Sequence, residues 1–124
     1  MNAKSLKSWI FFLAALLFSV SVLARDATSL DAVAVRDLPA EAQQTLALIR
    51  QGGPFPFAKD GVTFGNYERA LPRRARGYYH EFTVKTPGAR NRGARRIIVG
   101  GESASSLDRF YTDNHYASFK RIKE

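Results

Sequence analysis

The chain of 124 residues contains no cysteine, only two histidines, and 11 acidic residues against 19 basic ones. Without cysteine no disulfide can staple the fold and no thiol can carry a lipid anchor, so packing alone must hold the domain. His80 and His115 are the only imidazoles. Two nitrogen ligands and no sulfur make a poor zinc centre, and no metal or other cofactor is expected. The shortage of acids leaves a formal net charge of +8, which favours polyanionic partners such as nucleic acid or an anionic surface. Internal repeats and low-complexity stretches are also missing.

The one long apolar run, Ile10 to Val20, lies near the start. "MNAKSLKSWIFFLAALLFSVSVLA" has a basic opening at Lys4 and Lys7, an apolar centre, and small or apolar residues at Val22-Leu23-Ala24. That is the pattern of a secretory leader over residues 1–24. The run is short of the ~20 residues a membrane span requires, and no basic cluster follows directly. Cleavage, export and no stable membrane association afterwards are therefore expected. Loss of Lys4 and Lys7 with the leader leaves 17 basic and 11 acidic side chains, a net charge of +6 on 100 residues. A domain of that size buries roughly 60–70% of its unfolded surface and can fold without staples. Residues 25–36 read as a weakly structured lead-in, and 37–124 as one domain.

"DLPAEAQQTLALIRQGG" predicts a helix starting at Asp37 or Leu38 and ending at Gly52-Gly53. Pro39 suits its first turn, and Glu41 the positive N-terminal end. Ala42, Leu46 and Ile49 share one face at helical spacing, which suits packing on a sheet better than an exposed membrane-active helix. After Pro54 the period changes. "VTF", "YYHEFTV", "ARRIIVG" and "YASFKRI" are short runs rich in Val, Ile, Phe and Tyr, separated by turn residues. The predicted fold is α+β: an N-terminal helix packed on a single antiparallel β-sheet.

Strand alternation places Glu81, Thr83 and Lys85 on one face and His80, Phe82 and Val84 on the other. With Phe82 and Val84 in the core, Glu81 points outward or into a groove. Arg90, Arg92, Arg95 and Arg96 lie on the following turn and strand, where a hairpin returns them beside Glu81. Guanidiniums match phosphate oxygens two at a time. Histidine is the side chain that ordinarily titrates nearest neutrality, and His115 opens the last apolar run. A carboxylate, an imidazole and arginines form a set able to carry metal-free phosphoryl transfer. Each residue has a plainer explanation: Glu81 as a surface ion pair, His115 as a structural histidine, the arginines as a solvated face. Arg73, Arg74 and Arg76 form a second basic cluster, read as a general attraction for polyanions. In "VTFGNYERALP", Tyr67 offers a ring face, and the Glu68 carboxylate can accept two hydrogen bonds from guanine N1–H and N2–H. A surface salt bridge is the plainer reading of Glu68.

The order of these motifs carries a resemblance. The helix, "GPFPF", "FGNYERALP", "GYYHEFTVKTPGARNRGARRII" and "NHYASF" follow one another from about Leu38 to Ile122. The chain resembles the secreted guanyl-specific microbial ribonucleases, the barnase-like group and its actinobacterial relatives. The resemblance implies Glu81 as general base, Arg92 and Arg96 as catalytic phosphate-binding arginines, and His115 as general acid. It implies Tyr116 as a phosphate contact, Glu68 as the guanine-reading carboxylate, and Phe64, Asn66 and Tyr67 as further substrate-binding residues. Many bacterial members read Asn-Arg-Glu where this chain has Asn66-Tyr67-Glu68; the tyrosine resembles the fungal branch, where it stacks on guanine. Gly65 stands for a larger residue, and Asn114 for the aspartate common before the histidine.

The implied activity is cleavage of single-stranded RNA 3′ of guanosine, through a 2′,3′-cyclic phosphate that is then hydrolysed. The implied protein is a monomer whose partners are the RNA substrate and a small acidic inhibitor of the barstar type. The reading set against it is a non-catalytic basic RNA-binding module, which needs the arginines and aromatics but neither Glu81 nor His115.

Overall fold

The computed structural model describes residues 30–124. The leader read over residues 1–24 and the first part of the lead-in lie outside the described residues. The chain runs through strand β1 (Ala32–Ala34), a 3-10 turn (Val35–Asp37), helix α1 (Ala40–Gln51), and strands β2 (Tyr79–Thr83), β3 (Arg96–Gly100), β4 (Arg109–Thr112) and β5 (Lys120–Lys123). The strands form one sheet in the order β1-β5-β4-β3-β2.

The α+β prediction holds, with four differences. The lead-in is not wholly irregular: β1 pairs in parallel with β5, Val33 opposite Ile122. So the sheet is antiparallel except at this edge. Strand β4, "RFYT", was not foreseen, because four residues with charged and polar ends carry little periodic signal. The run "YASFKRI" becomes a strand only at Lys120, which leaves His115 and Tyr116 in the β4–β5 loop. Helix α1 also begins later than expected, after Pro39, whose extended ψ of 150° sets it outside the helix.

Helix α1 is built from good helix formers and stops at Gly52, whose φ is +86°. The Gly52 N–H donates to the Ile49 carbonyl and the Gly53 N–H to the Leu48 carbonyl, the paired closure favoured by a left-handed glycine. Its buried face of Ala42, Leu46 and Ile49 packs with Phe82, Val84, Ile97, Val99, Tyr111 and Ile122. Each buried Leu, Ile, Val or Phe among them contributes about 1.5–3 kcal/mol. The sheet thus covers that face of α1. Among the described residues no helix is long and apolar enough to cross one.

The other face of the sheet follows from the register. Glu81 pairs with Ile98 and Thr83 with Arg96; Ile98 pairs with Phe110 and Arg96 with Thr112. These residues therefore share a face. Its apolar part is a second cluster of Leu71, Tyr79, Ile98, Phe110 and Phe119. The rest is polar and buried: Glu81, Thr83, Arg96 and Thr112. The outer edge of β2 is covered by residues 60–64. Gly61 and Phe64 donate to the carbonyls of Glu81 and Tyr79, Val62 accepts from the Glu81 N–H, and the Asp60 carboxylate accepts the Thr83 N–H at 2.7 Å. An otherwise open edge is thus closed, and strand β2 is held on both sides, by residues 60–64 and by β3.

Candidate active site

Glu81 stands in the middle of β2 with 8% of its surface exposed. A buried carboxylate requires partners. Arg92 donates to Oε1 at 3.2 Å, and the Tyr116 hydroxyl donates to Oε2. The plain surface-pair reading of Glu81 fails on its burial, although the arginine partner is there. Arg92 sits on the β2–β3 loop and is aimed by Thr83, whose hydroxyl oxygen accepts from Nε at 3.1 Å and from Nη2 at 2.9 Å. Thr83 was not singled out as a site residue, yet its place two residues from Glu81 on the same strand face was a usable signal.

Arg96 is 2% exposed and makes no ion pair among the described residues. One Nη donates to the Gly93 and Arg95 carbonyls at 3.0 and 2.7 Å, and Nε has no partner. Its Cζ lies 6.0 Å from the Tyr116 ring centre. A buried guanidinium without a counterion is costly and is a ready receptor for an anion.

His115 and Tyr116 reach this cluster from the β4–β5 loop, their rings 4.6 Å apart. Both residues have left-handed backbone, with φ of +55° and +73°. Two adjacent non-glycine residues in that region store strain, which the surrounding loop must hold. It does so through Thr112 and Asn114. The Thr112 hydroxyl donates to Asn114 Oδ1 and accepts the Tyr116 N–H; Asn114 Oδ1 also accepts the Ser118 N–H, and Nδ2 donates to Ser118 Oγ at 2.7 Å. The His115 N–H donates to the Ala94 carbonyl. The amide at 114 thus both donates and accepts, which a carboxylate could not. The Tyr116 phenol is pushed above its ordinary pKa of 10, first by burial and then by its hydrogen bond to Glu81. It is a protonated donor at neutral pH.

Beside this cluster lies a cavity of about 290 Å³ lined by Thr63, Phe64, Gly65, Asn66, Tyr67, Glu68, Ala70 and Tyr116. All five residues expected to bind substrate, Phe64, Asn66, Tyr67, Glu68 and Tyr116, line it together. The loop is shaped by Asn66, whose φ of +53° suits an asparagine. Its side chain clasps Leu71 twice: Nδ2 donates to the carbonyl at 3.0 Å and Oδ1 accepts the N–H at 3.1 Å. Asn66 therefore builds the pocket with a side chain already occupied. Glu68 is exposed and forms no ion pair among the described residues, against the plain salt-bridge reading. The backbone N–H groups of Gly65, Asn66, Tyr67 and Glu68 also have no hydrogen-bond partner among the described residues. Gly65 lets the Tyr67 ring lie against the backbone; a Cβ there would collide with it. Among the described residues no group of three or more acidic or histidine side chains is placed to hold a metal ion.

A helix on a sheet, with a carboxylate, two arginines and a histidine on the opposite side next to a small base-sized pocket, defines a nuclease-like α+β protein. The ribonuclease family model matches residues 23–123, and the chain belongs to the microbial guanyl-specific ribonuclease family. It is similar to guanyl-specific ribonuclease Sa3 of Kitasatospora aureofaciens, 54% identical over 68% of this chain and 58% of that protein. The chain thus spans somewhat over half the length of that relative. Guanyl-specific ribonuclease Sa of the same organism is 51% identical over 74% of this chain and 93% of its own length. Among solved structures, ribonuclease Sa2 in complexes with mononucleotides is 45% identical with a TM-score of 0.72, covering 77% of this chain and 96% of that one. Ribonuclease Sa2 with guanosine-2′-cyclophosphate is 46% identical with a TM-score of 0.70, covering 77% and 97%.

Proposed function

We infer that the chain is an endoribonuclease that cleaves single-stranded RNA on the 3′ side of guanosine, by transesterification to a 2′,3′-cyclic phosphate and then hydrolysis. The observation that carries this reading is Glu81: a buried carboxylate held between an arginine and a phenol, beside a pocket that ends in an unpaired carboxylate.

Guanine presents N1–H and N2–H as a donor pair next to the O6 acceptor. The Glu68 carboxylate and the free N–H groups of residues 65–68 are complementary to that edge, while Phe64 and Tyr67 offer ring faces. With guanosine so placed, the ribose 2′-hydroxyl takes the position at Glu81 that the Tyr116 hydroxyl holds in the free site. The phenol is then released to a phosphate oxygen. Glu81 accepts the 2′-OH proton as the 2′-oxygen attacks phosphorus. Arg92 and Arg96 stabilise charge on the non-bridging oxygens, a contribution of ~10²–10³ in rate for a single donor. His115 gives its proton to the leaving 5′-oxygen, and the bond from phosphorus to that oxygen breaks. Hydrolysis of the cyclic phosphate exchanges the two roles.

The test is GpU against ApU in EDTA. Cyclic GMP product from GpU, little turnover of ApU, and loss of activity in Glu81→Gln and His115→Gln are expected. Equal cleavage of both dinucleotides would remove the role given to Glu68. A folded protein that binds RNA without cleaving it would favour the binding-module reading. Export as a monomer, free of the membrane after loss of the leader, belongs to the same proposal. So does a small acidic inhibitor, to which the exposed arginines are complementary. The N-terminal sequence of protein recovered from culture medium tests export.

A further inference from the structure

A second groove, of about 720 Å³, lies against the guanine-pocket loop and is lined in part by Arg69, Arg73, Arg74 and Arg76. The two cavities share the wall Thr63–Tyr67. No acidic residue lines this groove, and none of the four arginines is in an ion pair among the described residues. All four are exposed, and Tyr67, which stands between the cavities, is 92% exposed.

Four unpaired like charges on one short stretch repel one another, and a merely solvated face would not hold them in place. This loop is held. Leu71 is buried and clasped by Asn66; the Tyr79 hydroxyl donates to the Pro72 carbonyl; the Tyr78 N–H donates to the Ala75 carbonyl; and Arg74 stacks on the Tyr78 ring at 5.4 Å. The backbone that carries the four arginines is thus preorganised, with Arg74 held on the Tyr78 ring, and little further backbone ordering accompanies binding.

Resting on the function proposed above, we propose that Arg69, Arg73, Arg74 and Arg76 form a phosphate-binding track that holds the substrate RNA beyond the guanosine and the scissile phosphate. Continuity with the base pocket favours RNA over an unrelated anion. The residue type favours it too, since guanidiniums bind phosphate oxygens bidentately. An exposed aromatic ring beside a positive groove is the arrangement by which proteins track single strands.

The experiment compares GpU with a 20-nucleotide single-stranded RNA containing one guanosine, using Arg73→Ala/Arg76→Ala and Arg73→Ala/Arg74→Ala/Arg76→Ala. For GpU, kcat/KM should stay within about twofold of the parent. For the 20-mer at low salt, KM should rise roughly tenfold with kcat retained. The slope of log kcat/KM against log salt should fall by about 2 in the triple variant, since each phosphate contact on a single strand contributes ~0.7. Arg73→Lys/Arg74→Lys/Arg76→Lys should recover most of the salt slope. Loss of activity on both substrates in the double variant, which keeps the Arg74–Tyr78 stack, would overturn the proposal, as would unchanged kinetics on the 20-mer. Unchanged RNA kinetics with lost retention on anionic vesicles would also overturn it. Affinity of the parent and triple variant for a 2′-O-methyl 20-mer, read by fluorescence anisotropy, reports on the track even if cleavage itself fails. An unaltered affinity there sinks the track alone.

Discussion

The two faces of the sheet have opposite characters. The α1 face is a continuous apolar layer in which Phe82, Val84, Ile97, Val99, Tyr111 and Ile122 meet the helix. The opposite face interleaves Tyr79, Ile98 and Phe110 with buried Glu81, Thr83, Arg96 and Thr112 on the same three strands. One residue of register separates them: Phe82 and Ile97 point to the helix, while Glu81 and Arg96 point away. A buried carboxylate and a buried guanidinium destabilise a fold relative to well-packed apolar residues. Their presence there accords with the role proposed for the second face, while the apolar first face supplies stability that tolerates them.

The sharpest way to break this comparison is to exchange the cost on each face. Glu81→Gln should lower kcat/KM for RNA by about 10²–10⁴, the usual contribution of a general base, while leaving the folded structure in place. It should also remove the acid limb of a pH–rate profile that is bell-shaped when one group must be ionised and another protonated. Near-parental kcat would sink the role of Glu81. Ile97→Ala, on the other face of the adjoining strand, should do the reverse. It should cost about 2–4 kcal/mol of unfolding free energy through the cavity it leaves, with kcat per folded molecule close to the parent. Urea denaturation and active-site titration separate the two effects. A large fall in kcat without a fall in stability would mean that the faces are not independent.

Thr83→Val sharpens the boundary, because Thr83 lies on the site face yet touches no reacting group in the proposed mechanism. Its hydroxyl oxygen holds two nitrogens of Arg92. Loss of that hold should lower kcat roughly tenfold, the equivalent of one charge-assisted hydrogen bond, with KM for GpU little changed. Thr83→Ser, which keeps the oxygen, should recover most of the loss. If serine fares no better than valine, packing of the methyl group is the cause.

How much of this was legible beforehand depended on the range of the interaction. Helix α1, its stop at Gly52 and the same-face placement of Glu81 and Thr83 follow from local period and turn chemistry. The hairpin that returns Arg92 and Arg96 beside Glu81 follows from a turn between two apolar runs. Strand β1 did not, because three residues acquire strand geometry only by pairing with β5, some 90 positions later. Strand β4 was hidden by Arg109, whose guanidinium is buried against Glu124 at 2.7 Å, so that a charged residue occupies a core position. Individual side-chain duties were hidden too: that Asn66 clasps Leu71, and that Asn114 holds the loop under His115, are properties of closed turns. The family resemblance pointed to the candidate site, and the strand face on which Glu81 sits could be read from alternation alone.

The smallest predicted effect concerns Tyr79, an apolar member of the site face that still carries a polar end. Burial, and then the negative charge of Asp108, push its phenol up to about 12 from the ordinary 10. The folded state therefore keeps the proton that the unfolded chain releases near pH 10. Below pH 10 both states are protonated and the contribution is fully present. Between pH 10 and 12 the unfolded chain binds fewer protons, so stability falls as pH rises. Tyr79→Phe loses the hydroxyl's hydrogen bond to the Pro72 carbonyl, about 1 kcal/mol at neutral pH, but also loses this alkaline slope. Unfolding free energies from urea titrations should therefore favour the parent at pH 8, meet at about pH 11 and cross above it, since the slope removes about 1.4 kcal/mol per pH unit between the two pKa values. The phenols of Tyr78, Tyr111 and Tyr116 are raised as well and contribute to both proteins, so they largely cancel in the difference. Parallel curves over that range would show that the Tyr79 hydroxyl is open to solvent, and that this part of the site face is less closed than its packing against Phe110 implies.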